Sequence, residues 1–321
     1  MDSATTIDQT EIDINDFHQA QDALSSLPGN HQKLKCWEKW ANNIFQDQPW
    51  HHDLITSVTI AYARMALRNG SLNSSPRSYH NEHHINDLLS RVMYCAKHFE
   101  KQLNPNGLAI LCYFSACHDL RQDEAKNNNN PNSLVGTNEK VSFEEALRII
   151  DSTGRNALWN AHHLLLLKTM IEGSTFGSGG KRSKNFFQGN LAKYLLKNLA
   201  LPNKNDEQLV LLACDLDTSN VSLPISEFAQ SAIDIYDELI SHQQVLIPAH
   251  QFFSLQQKIY FFEQQNFNAQ ISQDLFGDQK EYNSEKLVTL SNHIESLPNQ
   301  LSDTEIKTEF LQKARELEHE S

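Results

Sequence analysis

The stretch YHNEHHINDLLSRVM, residues 79–93, decides the fold of this chain. From Ile85 onward its apolar side chains recur at intervals of three and four residues, the spacing that places them on one face of an α-helix. The same spacing runs almost without interruption from about Lys33 onward, and alternating strand patterns are scarce. We therefore predict an all-α fold, a helical bundle.

The chain is predicted to have three parts. Residues 1–30 are polar and acidic, show little periodicity and end in turn residues, so we expect a flexible, loosely held arm with at most one short helix. Residues 31–297 form the helical domain, and residues 298–321 form a C-terminal amphipathic helix with a capping box from Ser302 to Glu305. The polar segments 127–138 and 173–184 are predicted loops, and a second capping box at Ser142 is expected to start the helix after the first of them.

Composition excludes several classes of protein. With 321 residues, 39% of them hydrophobic, the chain is long enough to bury a sizeable core. A formal net charge of -13 and the lack of a long Lys or Arg run argue against a nucleic-acid partner. No long apolar run or signal-peptide pattern predicts a membrane segment or secretion. The five cysteines show neither a C-x-x-C pair nor dense spacing, so we expect reduced thiols and a cytoplasmic location.

Histidines and carboxylates recur where apolar helical stretches begin or end. His80 and His84 are four residues apart, so they share one face of a helix. His118-Asp119 follows the apolar stretch 107–117, and Asp215 ends the apolar run 209–214. An ionised carboxylate beside so apolar a helix is costly unless it is paired or bound to a metal. Each residue alone has an ordinary reading as a surface or capping residue, but the joint pattern predicts a divalent cation site.

The order of these residues resembles that of the HD-domain metal-dependent phosphohydrolases. The segment PRSYHNEHHI (76–85) is similar to the signature of a bacterial subgroup of predicted HD phosphohydrolases. It is followed by His118-Asp119, by NEKVS (138–142) and by Asp215-Leu216, and the resemblance covers about residues 50–260. The resemblance implies an HD-type helical domain and four metal ligands: His84, His118, Asp119 and Asp215.

Two questions about the ligand set stay open. Asp217 competes with Asp215 for the fourth position, because it lies two residues further on and is expected outside the helix, although the preceding apolar run favours Asp215. The subgroup usually continues with an I-x-x-T-x-x-H helix, whereas the corresponding residues 170–176 (MIEGSTF) contain no histidine. Ligands for a second ion would have to come from His162, His163 or Glu172, so we predict a single ion.

The ligand set indicates a mechanism. Mixed nitrogen and oxygen ligands suit an octahedral ion with open positions, either Mn²⁺, Fe²⁺, Mg²⁺ or Co²⁺. The motif also resembles class I cyclic nucleotide phosphodiesterases, in which the first motif histidine protonates the leaving oxygen, so His80 is the candidate general acid. Asp119 is expected to orient or deprotonate the water, and Glu139 to hold a ligating histidine. Three cations are candidates for stabilising the phosphoryl charge: Arg77, Lys181 and Arg182.

We therefore expect a metal-dependent phosphohydrolase that cleaves a phosphoester of a nucleotide or another small molecule. Two alternatives remain open. A catalytically inactive HD-fold protein could act as a binding or scaffold module, which the missing downstream histidine and the loop 173–184 favour. A di-iron HD-type oxygenase would require the extra ligands named above. The sequence determines neither the substrate nor the oligomeric state.

Overall fold

The computed structural model describes residues 7–27, 29, 31–99, 102–122, 124, 136–154, 157–178, 188–199, 201–242 and 247–319. Helices form almost all of the regular structure in these residues, which confirms the predicted all-α fold. The chain divides into two compact units. The first contains Met1–Pro76 and His80–Leu216, and the second contains Arg77–Tyr79 and Asp217–Ser321. The predicted boundaries at residues 30 and 297 stay a prediction.

The first unit contains ten helices among its described residues, together with one pair of short antiparallel strands that places Gly177 opposite Gly189. In chain order these elements are α1 (Gln9–Asp13), α2 (Phe17–Ser25), α3 (Gln32–Phe45), α4 (His51–Arg68), α5 (Glu82–His98), α6 (Pro105–Cys117), α7 (Thr137–Thr153), α8 (Ala161–Ser174), β1 (Phe176–Ser178), β2 (Gln188–Asn190), α9 (Ala192–Asn198) and α10 (Lys204–Asp217).

Helices α4 and α6 form the centre of the first unit. Helix α4 is buried along most of its length and packs against α2, α3, α5, α6 and α7. From Gly107 to Cys117 every residue of α6 is buried, as expected for a helix that is apolar on all sides. Because the core packs against α6 on every side, the polar residues His118 and Asp119 that follow the helix have a defined position.

The described part of the N-terminal segment is not the flexible arm that we predicted. Residues 7–27 include α1 and α2, and α2 packs against α4. Asp8 and Asp16 cap the two helices by accepting backbone N–H groups at 2.9 Å. Glu11 is buried and pairs with arginines far along the chain, including Arg148 at 2.7 Å. The segment also buries Ile14, Ala20 and Leu24, so both apolar contacts and distant charge partners attach it, and the second kind leaves no periodic signal in the sequence.

Helix α7 begins at Thr137, five residues before the predicted capping box at Ser142. Gly136 precedes the helix with φ of +80°, a left-handed conformation that favours glycine. Ser142 lies inside the helix, fully buried, and its hydroxyl accepts the backbone N–H of Arg121 at 3.0 Å. The serine that resembled a cap therefore bonds to another segment instead.

The second unit continues from the end of α10. Its elements are a 3₁₀ helix (Ser219–Ser222), α11 (Ile225–Ser241), α12 (Ala249–Gln251), a π-helical segment (Phe252–Gln256), α13 (Gln257–Ile259), a second π-helical segment (Tyr260–Gln264), α14 (Gln270–Ser296) and α15 (Asp303–His319). Across the helices that the structure describes, none combines the length and apolarity that crossing a bilayer requires.

Helices α11, α14 and α15 of the second unit enclose an aromatic and aliphatic core. Phe310 of α15 is fully buried, and its ring centroid lies 4.5 Å from that of Phe253. The predicted capping box is present, because Ser302 N–H donates to Glu305 Oε2 at 2.7 Å and Glu305 N–H to Ser302 Oγ at 3.3 Å. The predicted terminal helix is thus amphipathic, but it forms part of a larger unit because its apolar face completes a shared core.

Candidate metal centre

Three helix ends carry the candidate metal ligands. His84 lies in the first turn of α5, His118 and Asp119 directly follow α6, and Asp217 is the last residue of α10. The division between the two units falls after Leu216, so Asp217 is carried by a helix whose other residues all belong to the first unit.

The start of α5 is fixed by two residues of the YHNEHH motif. Asn81 caps the helix by accepting a backbone N–H of the first turn at 2.8 Å. Glu82 is fully buried and accepts the backbone N–H of Ser71 at 3.1 Å as well as the Ser71 hydroxyl. A methyl group at Gly70 would overlap the Glu82 carboxylate, so this close approach requires glycine. Together these contacts hold the helix turn in which His84 is buried.

His118 is oriented by the apolar core. Its backbone N–H donates to the carbonyl of Phe114 at 3.0 Å, which ends α6. Its ring stacks on the Phe114 ring with centroids 4.7 Å apart and an angle of 29° between the planes. The imidazole is almost completely buried, so the core fixes its direction.

A group of four side chains can hold one metal ion: His84, His118, Asp119 and Asp217. Their ligand atoms all lie within 4.8 Å of one another. Asp119 Oδ2 is 2.9 Å from His118 Nε2 and 3.6 Å from His84 Nε2. Ligands on opposite sides of an ion with bonds of about 2.1 Å are about 4.2 Å apart, so this spread suits a single cation. A bound cation would also offset the repulsion between the two neighbouring carboxylates.

The fourth member of the group is Asp217, and not Asp215 as we predicted first. The two residues are two positions apart on α10 and therefore point about 200° apart around the helix axis. Asp215 is fully buried, whereas the partly exposed Asp217 directs a carboxylate oxygen toward the other three ligand atoms. The geometry therefore favours Asp217, the alternative that ranked second in the sequence analysis.

His80 lies beside the group. Its Nε2 is 3.9 Å from Asp119 Oδ2, and its ring centroid is 6.1 Å from that of His84. The His80 side chain is 28% exposed, so the ring reaches both the ligand group and solvent. This position suits a residue that exchanges protons with water and delivers them near the ligands.

Arg77 takes part in a buried ion pair within the second unit. Its Nη1 donates to Glu238 Oε1 at 2.9 Å, and Glu238 Oε2 accepts the backbone N–H of Tyr79 at 3.0 Å. Breaking such a pair would leave a buried charge uncompensated. The structure thus gives Arg77 an anchoring role, and its catalytic role stays a prediction. Lys181 and Arg182, the other candidates for phosphoryl stabilisation, lie outside the described residues.

Glu139, in the first turn of α7, is electrostatically linked to the group. Burial raises the pKa of the Glu139 carboxyl to about 7, and the negative charge of Asp119 acts in the same direction. Hydrogen bonds and the charge of His118 partly offset these effects. A carboxyl that changes protonation near neutral pH beside a ligand set is suited to proton transfer, or to orienting a ligating histidine as we predicted.

The three residues considered for a second ion make other contacts. His162 Nε2 is 3.0 Å from Asp206 Oδ2, and His163 Nδ1 bonds to the carbonyl of Leu158. Glu172 forms an ion pair with a lysine one helical turn away, at 3.7 Å. Within the described residues, none of the three belongs to the group that can hold an ion.

One contact to a ligand was missed by the sequence reasoning. Gln122 Nε2 donates to Asp119 Oδ1 at 2.8 Å. The only signal was an amide three residues after the His-Asp pair, which is too common a pattern to be singled out. The motif residue Asn138 is also closely involved, because its side chain bonds both to the carbonyl of Gln122 and to the backbone N–H of Glu124.

Comparison with known proteins assigns no family to this chain. A scan against protein-family models found no match, and neither did a search of curated proteins. The resemblance to HD-domain proteins therefore depends on the motifs quoted above, and a helical chain that brings histidines and aspartates together is compatible with it.

Proposed function

We propose that this protein is an HD-type metal-dependent phosphohydrolase that cleaves a phosphoester of a nucleotide or another small molecule. The observation that carries the proposal is the convergence of two imidazoles and two carboxylates from three helix ends, with His80 beside them. Four ligands of this mixed type leave positions open on an octahedral ion, which a catalytic site requires.

The divalent cation, either Mn²⁺, Fe²⁺, Mg²⁺ or Co²⁺, would be held by four side chains: His84, His118, Asp119 and Asp217. When bound, such an ion supplies acidification of water and neutralisation of charge on a phosphoryl oxygen. The donor atoms of these four side chains fit this task because they lie close together, and because the two histidines are buried while the two carboxylates are partly exposed. Substrate can therefore approach from the carboxylate side.

The remaining chemistry belongs to side chains around the group. His80 protonates the leaving oxygen, since its ring lies next to Asp119 and stays in contact with solvent. Asp119 orients the attacking water through an oxygen that also faces the histidines. Glu139, whose pKa burial raises to about 7 in the metal-free protein, is a further candidate for accepting or returning a proton.

The proposal is tested by metal reconstitution. The protein is stripped with a chelator, reconstituted with each of the four ions, analysed for metal content, and assayed against a panel of nucleotides and other phosphoesters. We expect one ion per chain and hydrolysis of at least one phosphoester. Asp119→Ala should lose both metal and turnover while the circular dichroism spectrum stays helical. Asp87→Ala, which removes an exposed carboxylate of α5, is the matched control and should retain both.

Other results of this experiment would favour other functions. Full activity in Asp119→Ala would contradict the proposed site. Two irons per chain without phosphoester hydrolysis would favour the di-iron oxygenase. A wild-type protein that binds no ion and hydrolyses nothing would favour the scaffold module.

A further inference from the structure

The two oxygens of the Asp119 carboxylate face different partners. Oδ2 lies 2.9 Å from His118 Nε2 and 3.6 Å from His84 Nε2, on the side of the candidate ligands. Oδ1 accepts a hydrogen bond of 2.8 Å from the side chain of Gln122. An ionised carboxylate can only accept, so Gln122 must present its NH₂ group here. Rotation of the Asp119 carboxylate would break this bond.

The backbone that carries Gln122 is held residue by residue. Each of the three residues after Asp119 forms one hydrogen bond with a side chain from another segment. The carbonyl of Leu120 accepts from Arg68 Nη1 (2.8 Å), the N–H of Arg121 donates to Ser142 Oγ (3.0 Å), and the carbonyl of Gln122 accepts from Asn138 Nδ2 (3.0 Å). The Gln122 side chain therefore extends from a fixed point, which lowers the entropy lost when its amide is ordered.

Ion pairs fix two arginines of this region: Arg68, which holds the backbone, and Arg121, which is part of it. Arg68 binds Asp8 with two hydrogen bonds of 2.7 and 2.9 Å, and its Nη2 is 3.1 Å from Glu145. Arg121 is 3.1 Å from Glu11. A bidentate ion pair of this kind stabilises the arginine side chain and also fixes its direction. The support of Asp119 thus extends through Gln122 into the interior of the first unit.

We propose that Gln122 is a positioning residue of the metal centre, which holds Asp119 Oδ1 so that Oδ2 is presented to the ion as a single donor. This inference rests on the proposed metal site and deepens it. A partner that orients a ligand from behind typically contributes a factor of about 10–100 to metal affinity. If the bond between Gln122 and Asp119 were only a surface contact between residues three positions apart, it would contribute nothing to metal affinity. A measurement of metal affinity therefore distinguishes the positioning role from a surface contact.

The test compares two substitutions that each remove one amide donor of the same kind. Gln122→Met keeps the length of the side chain and removes the bond to Asp119. The control is Gln270→Met, which removes an exposed glutamine-to-aspartate bond of the same 2.8 Å length, to Asp274. Both variants and the wild type are stripped of metal, titrated with Co²⁺, and followed by visible absorption. We expect Gln122→Met to bind Co²⁺ about 10–100-fold more weakly with an altered absorption band, and Gln270→Met to match the wild type.

The outcomes separate this inference from the proposed function. Wild-type affinity and an unchanged Co²⁺ band in Gln122→Met would overturn the positioning role and leave the metal site standing. No Co²⁺ binding by the wild type would overturn both. If Gln122→Met loses helical content, Gln122→Asn, whose amide is too short to reach Asp119, carries the same expectation and is judged by the same two measurements.

Discussion

The two units of this chain both bury apolar side chains, but they differ in the charges buried among them. The first unit buries a cluster of charges in which Arg64, Arg68 and Arg121 all contact the fully buried Glu145 at 3.1 to 3.4 Å. The described core of the second unit is built mainly from aromatic and aliphatic side chains, such as Phe253 and Phe310, whose rings are tilted with centroids 4.5 Å apart. Charges survive in an interior only where each is paired, so the first unit adds a network of directed contacts to its apolar core, whereas the second unit buries the smaller pair of Arg77 and Glu238 beside its own apolar core.

This difference matches where the candidate chemistry lies. A metal centre needs carboxylates and imidazoles held in fixed directions, and hydrogen bonds and ion pairs supply direction. Apolar burial is by itself non-directional, although ring stacking on Phe114 also orients His118. The unit that carries His84, His118 and Asp119 is also the unit whose interior is organised by charge. Four predictions test this comparison.

The largest effect is expected from breaking the charge cluster. Glu145→Ala leaves three arginines short of a carboxylate, which should lower the free energy of unfolding by about 5 kcal/mol. Urea denaturation of the wild type and the variant measures the loss. The control is Glu144→Ala, next in the chain but partly exposed and 4.0 Å from Lys140, where we expect at most about 1 kcal/mol. Equal stability of the two variants would show that the cluster is not a source of stability.

The second largest effect is expected from disrupting the apolar core of the second unit. Phe310→Ala removes a fully buried ring and should cost about 4 kcal/mol of unfolding free energy. Because the substitution leaves the ligand group untouched, metal content measured under native conditions should stay at the wild-type level. Gln312→Ala, on the exposed side of the same helix, serves as the control. A variant that folds but has lost its metal would contradict the separation of roles between the units.

A third prediction concerns pH. In the metal-free protein the Glu139 carboxyl has a pKa of about 7, compared with the ordinary glutamate value of 4.5, so the folded chain binds this proton more tightly than the unfolded chain does. The contribution to stability is therefore fully present below pH 4.5 and is lost, by about 3 kcal/mol, as the pH rises through 7. Glu139→Gln should remove this part of the pH dependence. Urea denaturation at several pH values measures it, and parallel curves for the two proteins would refute it.

The smallest expected effect distinguishes the two aspartates of α10. Asp217→Ala should weaken metal binding by about 100-fold, or about 2.7 kcal/mol, because it removes a ligand. Asp215→Ala should keep the wild-type metal stoichiometry, although its thermal stability should fall because a fully buried polar side chain is lost. Metal analysis and calorimetric titration of both variants decide the matter. The opposite result would restore Asp215 as the fourth ligand.

Much of the fold could be predicted because helix formation leaves a local signal. The spacing of apolar residues identified the helical class, and the Ser302 capping box marked the last helix. The same reasoning failed for residues 7–27, which are attached partly by the buried Ala20 and Leu24 and partly by Glu11, whose arginine partners lie between 53 and 137 positions away in sequence. It also misplaced the start of α7, because Ser142 has the sequence of a cap but bonds to Arg121 instead.

The sequence by itself determined the helical character of this chain, and it identified three candidate metal ligands: His84, His118 and Asp119. Both follow from residue types and short spacings. Only the tertiary structure decided that Asp217 joins them, that Gln122 holds Asp119, and that the predicted catalytic Arg77 pairs with Glu238. The physical reason is that spacing along a helix gives the relative directions of its side chains. Which of those directions meets a partner depends on how the helices pack.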